Sequence, residues 1–99
     1  MKVIFVLILF FSLIISCQSQ TAEEFFEKGN VKDYLQDYNG AISDYNKEIE
    51  INPKYAYVYY ARGLAKINLG QKDSGCLDLS KAGKLGCSQA YEAIKDFCN

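Results

Sequence analysis

Cysteine is the residue type in this sequence with the widest chemistry, and its four copies fall into two groups. Cys17 follows an apolar stretch at the start of the chain, whereas Cys76, Cys87 and Cys98 are evenly spaced near its end. Thiols can be acylated, bind metals, act as nucleophiles or form disulfides. The chain has no histidine, which excludes a Ser-His-Asp triad, a histidine general base and any histidine-containing metal site. With no CxxC pair either, we expect no metal and no cofactor.

The residues before the first cysteine have the pattern of a secretory signal. Val3–Ile15 contains Ser12 as its one polar residue. This run is shorter than the ~20 residues of a membrane-spanning helix and fits the apolar region of a signal peptide. The sequence Ile14-Ile15-Ser16-Cys17 resembles a bacterial lipobox, and the resemblance implies cleavage before Cys17 and lipidation of its thiol. We expect a signal peptide over residues 1–16, then a lipidated cysteine and polar tether over residues 17–21.

A lipid on Cys17 implies attachment to a membrane in the bacterial cell envelope, because two or more acyl chains hold a protein stably in a bilayer. The lipoprotein resemblance, with no aspartate after the cysteine, implies the periplasmic face of the outer membrane. The alternatives are an uncleaved anchor and ordinary secretion with a free Cys17.

The rest of the chain repeats itself with a period of 34 residues. Identical residues at this shift include Ala22/Ala56/Ala90, Gly29/Gly63, Lys32/Lys66, Leu35/Leu69, Asp44/Asp78 and Lys47/Lys81. Period and residue types resemble the tetratricopeptide repeat, a helix–turn–helix unit. The resemblance implies an all-α fold, a short right-handed superhelix of two units (residues 22–55 and 56–87) with a C-terminal capping helix (residues 88–99). The tail also resembles the shorter helical repeats of the Sel1-like type.

The ends of these helices can be predicted from capping and helix-breaking residues. We expect them over residues 22–35, 38–51, 54–69, 73–82 and 88–97, with Pro53 opening the third and Asp73 capping the fourth. The small residues Gly29, Ala41, Gly63 and Gly75 are expected where two helices approach closely.

The predicted hairpin between the last two helices brings two of the cysteines together. Its turn lies near Cys87, so Cys76 and Cys98 should stand level across the hairpin and form a disulfide. Cys87 lies ~16 Å along a helix from either one, so we expect it to remain free. The alternative is that all three are small buried apolar residues.

The tetratricopeptide resemblance places a partner on the concave face, which the first helix of each unit lines. The positions expected to bind a partner there are Phe26, Asn30, Asp33, Tyr34, Tyr57, Tyr60, Leu64 and Asn68, with Glu23, Ile67 and Tyr91 beside them. Tyrosine is favoured at interfaces because it offers a large area at a small entropic cost. Tyr59 is expected instead in the core, against Phe25 and Tyr45. Because basic residues are missing around Asn30, a clamp for a terminal carboxylate is not expected.

These observations favour binding over catalysis. No nucleophile–base pair or phosphate loop is visible, so we expect no enzyme. A formal net charge of −1 with no basic block argues against nucleic acid as a partner. The predicted function is a membrane-anchored adaptor for a protein or an extended peptide. The alternative is a structural subunit of a larger envelope complex, or a repeat protein that associates with itself as a homo-oligomer.

Overall fold

The computed structural model describes residues 24–99, and this part of the chain consists of five helices joined by short turns. They are α1 (Glu24–Tyr34), α2 (Tyr38–Ile51), α3 (Ala56–Asn68), α4 (Lys72–Lys84) and α5 (Gln89–Phe97). α1 and α2 form one antiparallel hairpin, α3 and α4 form the second, and α5 packs on α4. The predicted all-α fold of two helix–turn–helix units and a capping helix is therefore confirmed. Within residues 24–99, each helix is too short or too polar to span a bilayer, and Cys17 lies outside the described residues.

The starts of α3, α4 and α5 differ from the sequence prediction by one or two residues, whereas α2 begins at Tyr38 as expected. Asp37 caps α2 as its side chain accepts the N–H of Gly40 at 3.0 Å. α4 begins one residue before Asp73, and Gln71 occupies the cap position without a side-chain hydrogen bond. Pro53 lies in the turn before α3, which begins only at Ala56.

Three helices end in the same way, with a residue of positive φ just beyond the last turn. These residues are Gln36 (φ 64°), Gly70 (φ 83°) and Gly86 (φ 109°). In each case the following N–H reaches back to a carbonyl of the helix, as in Asp37 to Lys32 (2.8 Å), Gln71 to Lys66 (2.8 Å) and Cys87 to Ala82 (2.9 Å). This ending favours glycine, so Gln36 is the position where the repeat departs from the residue its backbone prefers.

The second hairpin closes on a backbone contact between two glycines. A Cβ on Gly75 would lie 2.6 Å from the carbonyl oxygen of Gly63, and a Cβ on Gly63 would lie 2.8 Å from that of Gly75. Only hydrogen fits between the helices here, as the repeat predicted. In the first hairpin the neighbour of Gly29 is a side chain instead, since a Cβ there would lie 2.5 Å from the ring of Tyr45.

The repeat also places one ion pair in each unit. Lys32 pairs with the buried Asp44 at 2.8 Å, and 34 residues later Lys66 pairs with the buried Asp78 at 2.9 Å. Arg62 adds two further hydrogen bonds to the Asp78 carboxylate, at 2.7 and 2.8 Å. Each unit thus has a buried aspartate paired with a lysine at equivalent positions of the 34-residue repeat.

A third buried carboxylate, that of Glu48, joins the start of α1 to the end of α2. Glu48 has no exposed surface. Its carboxylate accepts the backbone N–H of Phe26 at 3.3 Å, one of the donors that a helix start leaves unpaired, and also accepts a hydrogen bond from the Asn52 side chain. Glu48 therefore stabilises the first unit through a charged contact. Ala82, the residue at the equivalent position of the second unit, cannot make this contact.

Cys76 and Cys98 lie opposite each other on α4 and just beyond α5, with an S–S distance of 2.10 Å and a Cα–Cα distance of 5.9 Å. This is the pair expected from the hairpin. Their separation of 22 residues gives a stabilisation of ~3 kcal/mol by the chain-entropy model. Cys87 is fully buried and is not a free thiol in the structure, so the expectation that it remains free is wrong.

Tyr59 is buried as expected, but its neighbours differ from the predicted ones. It packs in a cluster with Ala56, Ala82, Cys87 and Ala90, and its hydroxyl donates to the carbonyl of Pro53 at 2.8 Å. Tyr59 therefore lies on the side of α3 that faces α4 and α5. Phe25 instead lies beneath the ammonium groups of Lys28 and Lys47, each 5.6 Å from its ring centre.

The glycine contact predicts a clear effect of one methyl group. Gly75→Ala should lower the free energy of unfolding by ~2 kcal/mol, because α3 and α4 must move apart. Helix propensity alone would raise stability by up to ~1 kcal/mol, so the sign separates the two effects. Ser74→Ala, at an exposed position on the same helix, is the control and should change stability by less than ~0.5 kcal/mol. Chemical denaturation measures both, and a stable Gly75→Ala variant would contradict the contact.

The paired carboxylates predict unequal losses in the two units. Asp78→Asn should cost ~3 kcal/mol, because Arg62 and Lys66 are mostly buried and lose their counter-charge. Asp44→Asn should cost ~1 kcal/mol, since Lys32 is 43% exposed and water can take over. Urea unfolding of the two variants provides the comparison. Equal losses would show that burial of the cations does not set the difference.

Candidate peptide-binding face

The side chains expected on the concave face come from α1 and α3, which touch each other in the structure. On α1, Phe26, Asn30 and Asp33 are spaced by four and three residues and therefore share one side of the helix. On α3, Tyr57, Tyr60, Leu64 and Asn68 follow the same spacing. We call Asn30, Asp33, Tyr57, Tyr60 and Leu64 the α1–α3 face.

A chain of aromatic rings connects the core to this face. Phe26 contacts Tyr45 and Tyr55 inside and meets Tyr57 edge-on, with 5.3 Å between the ring centres. Tyr57 in turn stacks on Tyr60, at 5.6 Å and an angle of 14° between the rings. Because both tyrosines are half-buried, their orientation is set by packing before any partner arrives.

Phe26 itself is only 3% exposed, so its prediction as a partner contact is wrong. The rings of Tyr45, Tyr55 and Tyr57 cover it from both hairpins. The Phe26 ring supports the ring of Tyr57 from the core side.

Asn30 is held in place by Tyr45, a buried residue of α2. The Tyr45 hydroxyl donates to the Asn30 side-chain oxygen at 2.8 Å. The Asn30 amide N–H groups then remain as donors, and no acceptor within residues 24–99 takes them. The absence of a side chain at Gly29 leaves room for the Tyr45 ring to reach Asn30.

Asp33 is partly buried, and burial raises the pKa of its carboxyl group. The neighbouring Lys32 forms its ion pair with Asp44. No cation or hydrogen-bond donor among the described residues pairs with the Asp33 side chain. The pKa of the Tyr45 phenol is also raised, by burial first and then by the charge of Asp33, which places the two groups within electrostatic reach of each other.

The remaining predicted positions are less closely connected. Burial and the neighbouring Tyr57 raise the pKa of Tyr60, and Leu64 is half-buried beyond it. Tyr34 is 88% exposed and Asn68 is exposed at the end of α3. Tyr91, on α5, lies against Gly83. The structure therefore brings together Asn30, Tyr57 and Tyr60 through Phe26 and Tyr45, and leaves Tyr34 and Asn68 at the margin.

The described residues hold no cluster of three or more His, Cys, Asp or Glu side chains that could bind a metal ion. The α1–α3 face carries two stacked phenol rings, an oriented amide donor and a single carboxylate. Protein interfaces combine packing and hydrogen bonding through groups of these kinds.

Comparison with known proteins agrees with the repeat. Residues 29–70 match the family model described as a TPR repeat. The chain is also similar to the small glutamine-rich tetratricopeptide repeat-containing protein 2 of Mycosarcoma maydis, at 36% identity over 64 residues, which is 65% of this chain and 18% of that protein. No solved structure matches. The chain is thus similar to TPR repeats over residues 29–70, within an all-α fold of two helical hairpins and a capping helix.

Proposed function

We propose that the chain is a membrane-anchored adaptor that binds an extended peptide, or an extended segment of a partner protein, on the α1–α3 face. The observation that carries this is the stacked pair Tyr57 and Tyr60, partly exposed and fixed from below by Phe26. Rigid phenol rings bind at a small entropic cost and suit partners of varied sequence. A non-catalytic role belongs to the same proposal.

The size of the face limits the affinity. Two repeats contribute two lining helices, so the contact covers only a few residues of a peptide. A dissociation constant of roughly micromolar size is expected for a single site, and anchoring several copies on a membrane would strengthen the overall binding.

The anchoring part of the proposal rests on Val3–Ile15 and Cys17. Cleavage before Cys17 and acylation of its thiol would hold the folded repeats at the bacterial cell envelope, on the periplasmic face of the outer membrane. The Cys76–Cys98 pair is compatible with such an oxidising space.

A structural subunit, or association of the chain with itself, is the second candidate. It is favoured by the apolar side chains exposed at the end of α1, which are Val31, Tyr34 and Leu35. Open repeat stacks readily dock through such ends. A docked end would make α1, rather than the tyrosine pair, the contact with the partner.

Crosslinking in native membranes separates these two functions. Tyr57→Ala/Tyr60→Ala should lose most crosslinks to a partner, as identified by mass spectrometry, because the stacked rings supply the contact area. Leu77→Ala is the matched control, since Leu77 is exposed on α4 away from the face, and it should keep them. Circular dichroism checks that both variants fold. Crosslinks that survive in the tyrosine variant but disappear in Val31→Ala/Leu35→Ala would overturn the adaptor in favour of the subunit.

The anchor predicts a processed and acylated chain. Mass spectrometry of the membrane-extracted protein should find a mature chain that begins at Cys17 and carries the added mass of acyl groups. Cys17→Ala should abolish this processing, because the thiol is the site of lipid attachment, whereas Ser19→Ala should leave it unchanged. Processing and location of Cys17→Ala like those of the unaltered chain would refute the anchor.

A further inference from the structure

Most carboxylates that the fold removes from water have a partner. Among residues 24–99, four acidic residues are not fully exposed. Asp44 pairs with Lys32, Asp78 pairs with Arg62 and Lys66, and Glu48 accepts from the Phe26 N–H and from Asn52. The fourth is Asp33, and no cation or donor in this part of the chain meets it. Removing a carboxylate from water without compensation costs free energy, so the fold gains nothing from this charge.

The repeat shows what the fold would place at this position. Shifting Asp33 by 34 residues gives Ile67, an apolar residue whose side chain packs against Gly75. The second unit therefore uses the position for packing between helices, whereas the first unit places a partly buried charge there. The difference lies on the same side of α1 as Asn30, and both Asp33 and Tyr57 are within electrostatic reach of the Tyr45 hydroxyl.

We propose that the α1–α3 face binds an extended peptide through a lysine or arginine side chain, with Asp33 as the counter-charge. This inference rests on the proposed function and names the chemistry of the partner. A cation brought to Asp33 supplies the missing charge in a setting partly shielded from water, where a charge-assisted hydrogen bond is strong. The other groups on the face agree with this ligand.

Two further contacts define the segment. The Asn30 amide, whose oxygen is occupied by Tyr45, offers its N–H groups to a peptide carbonyl. Tyr57 and Tyr60 offer aromatic surface for the aliphatic stem of the basic side chain, or for the apolar residue beside it. Asn30 and Asp33 are ~4.5 Å apart along α1, close to the ~3.4 Å per residue of an extended chain. Carbonyl and cation therefore come from the same or adjacent residues of the peptide.

The charges nearby exclude the opposite ligand. An anionic group would need a cation on this face, but Lys28 pairs with Glu24 and Lys32 pairs with Asp44. A bound metal ion would need further ligands around Asp33, and the described residues supply no such cluster. An organic cation on a peptide fits the single carboxylate and the aromatic rings together.

Binding of blocked peptides to the full chain in detergent micelles tests this. The probes are a fluorescently labelled, acetylated and amidated nonapeptide with a central arginine flanked by leucines, and the same peptide with neutral citrulline in place of arginine. We expect the arginine peptide to bind roughly five- to tenfold more tightly, which corresponds to ~1–1.4 kcal/mol. Asp33→Asn should remove this preference while its melting temperature stays equal or rises, since the variant loses no native ion pair. Glu27→Gln, an exposed acidic position on the same helix, should keep the preference.

The results separate this inference from the proposed function. If both peptides bind equally and Tyr57→Ala/Tyr60→Ala abolishes the binding, the face is a peptide site and the cation preference is wrong. A preference that persists in Asp33→Asn also overturns the role of this carboxylate. If neither peptide binds and the crosslinks survive in the tyrosine variant, the proposed function itself fails.

Discussion

The contact between Gly63 and Gly75 is the constraint on which the rest of the second unit depends. Because no side chain separates α3 from α4 at this point, the two helices approach closely enough for Arg62 and Lys66 to reach Asp78. One side of α3 is then used by α4, and another is used by the aromatic cluster of the first unit. Tyr57 lies at the edge of that cluster, against Phe26, and Tyr60 stacks on Tyr57. A wider separation of the helices would change the direction of these rings.

The first unit solves the same problem with different residues. Gly29 leaves space for the ring of Tyr45, and the Tyr45 hydroxyl fixes Asn30. Glu48 adds a buried contact with the start of α1 that the second unit lacks. The two units therefore share a backbone plan and their Lys–Asp pair but differ in chemistry, and the polar groups of the face come from the first while the stacked rings come from the second. This division suits a surface that binds one partner through both charge and aromatic area.

Much of this architecture could be predicted from the sequence because the repeat constrains it so heavily. A period of 34 predicted the hairpins, the glycine contact and the level placement of Cys76 and Cys98, since each follows from the order and length of helices. The depth of individual side chains could not be predicted in this way. Phe26 was expected on the surface, but rings from both hairpins converge on it. Spacing along one helix does not show which neighbouring helix covers it.

The residues around Asp33 show the same limit. Its place on α1 followed from the spacing. Its lack of a cation among residues 24–99 depends on where Lys32 points, and the pairing of Lys32 with Asp44 decides that. A nuclear magnetic resonance titration of the isotopically labelled full chain with the blocked arginine nonapeptide tests the account most directly. The account predicts that the largest shifts fall on Asn30, Asp33, Tyr57 and Tyr60, with little change around Leu77. Shifts centred on Val31 and Leu35, with the α1–α3 face unchanged, would contradict it.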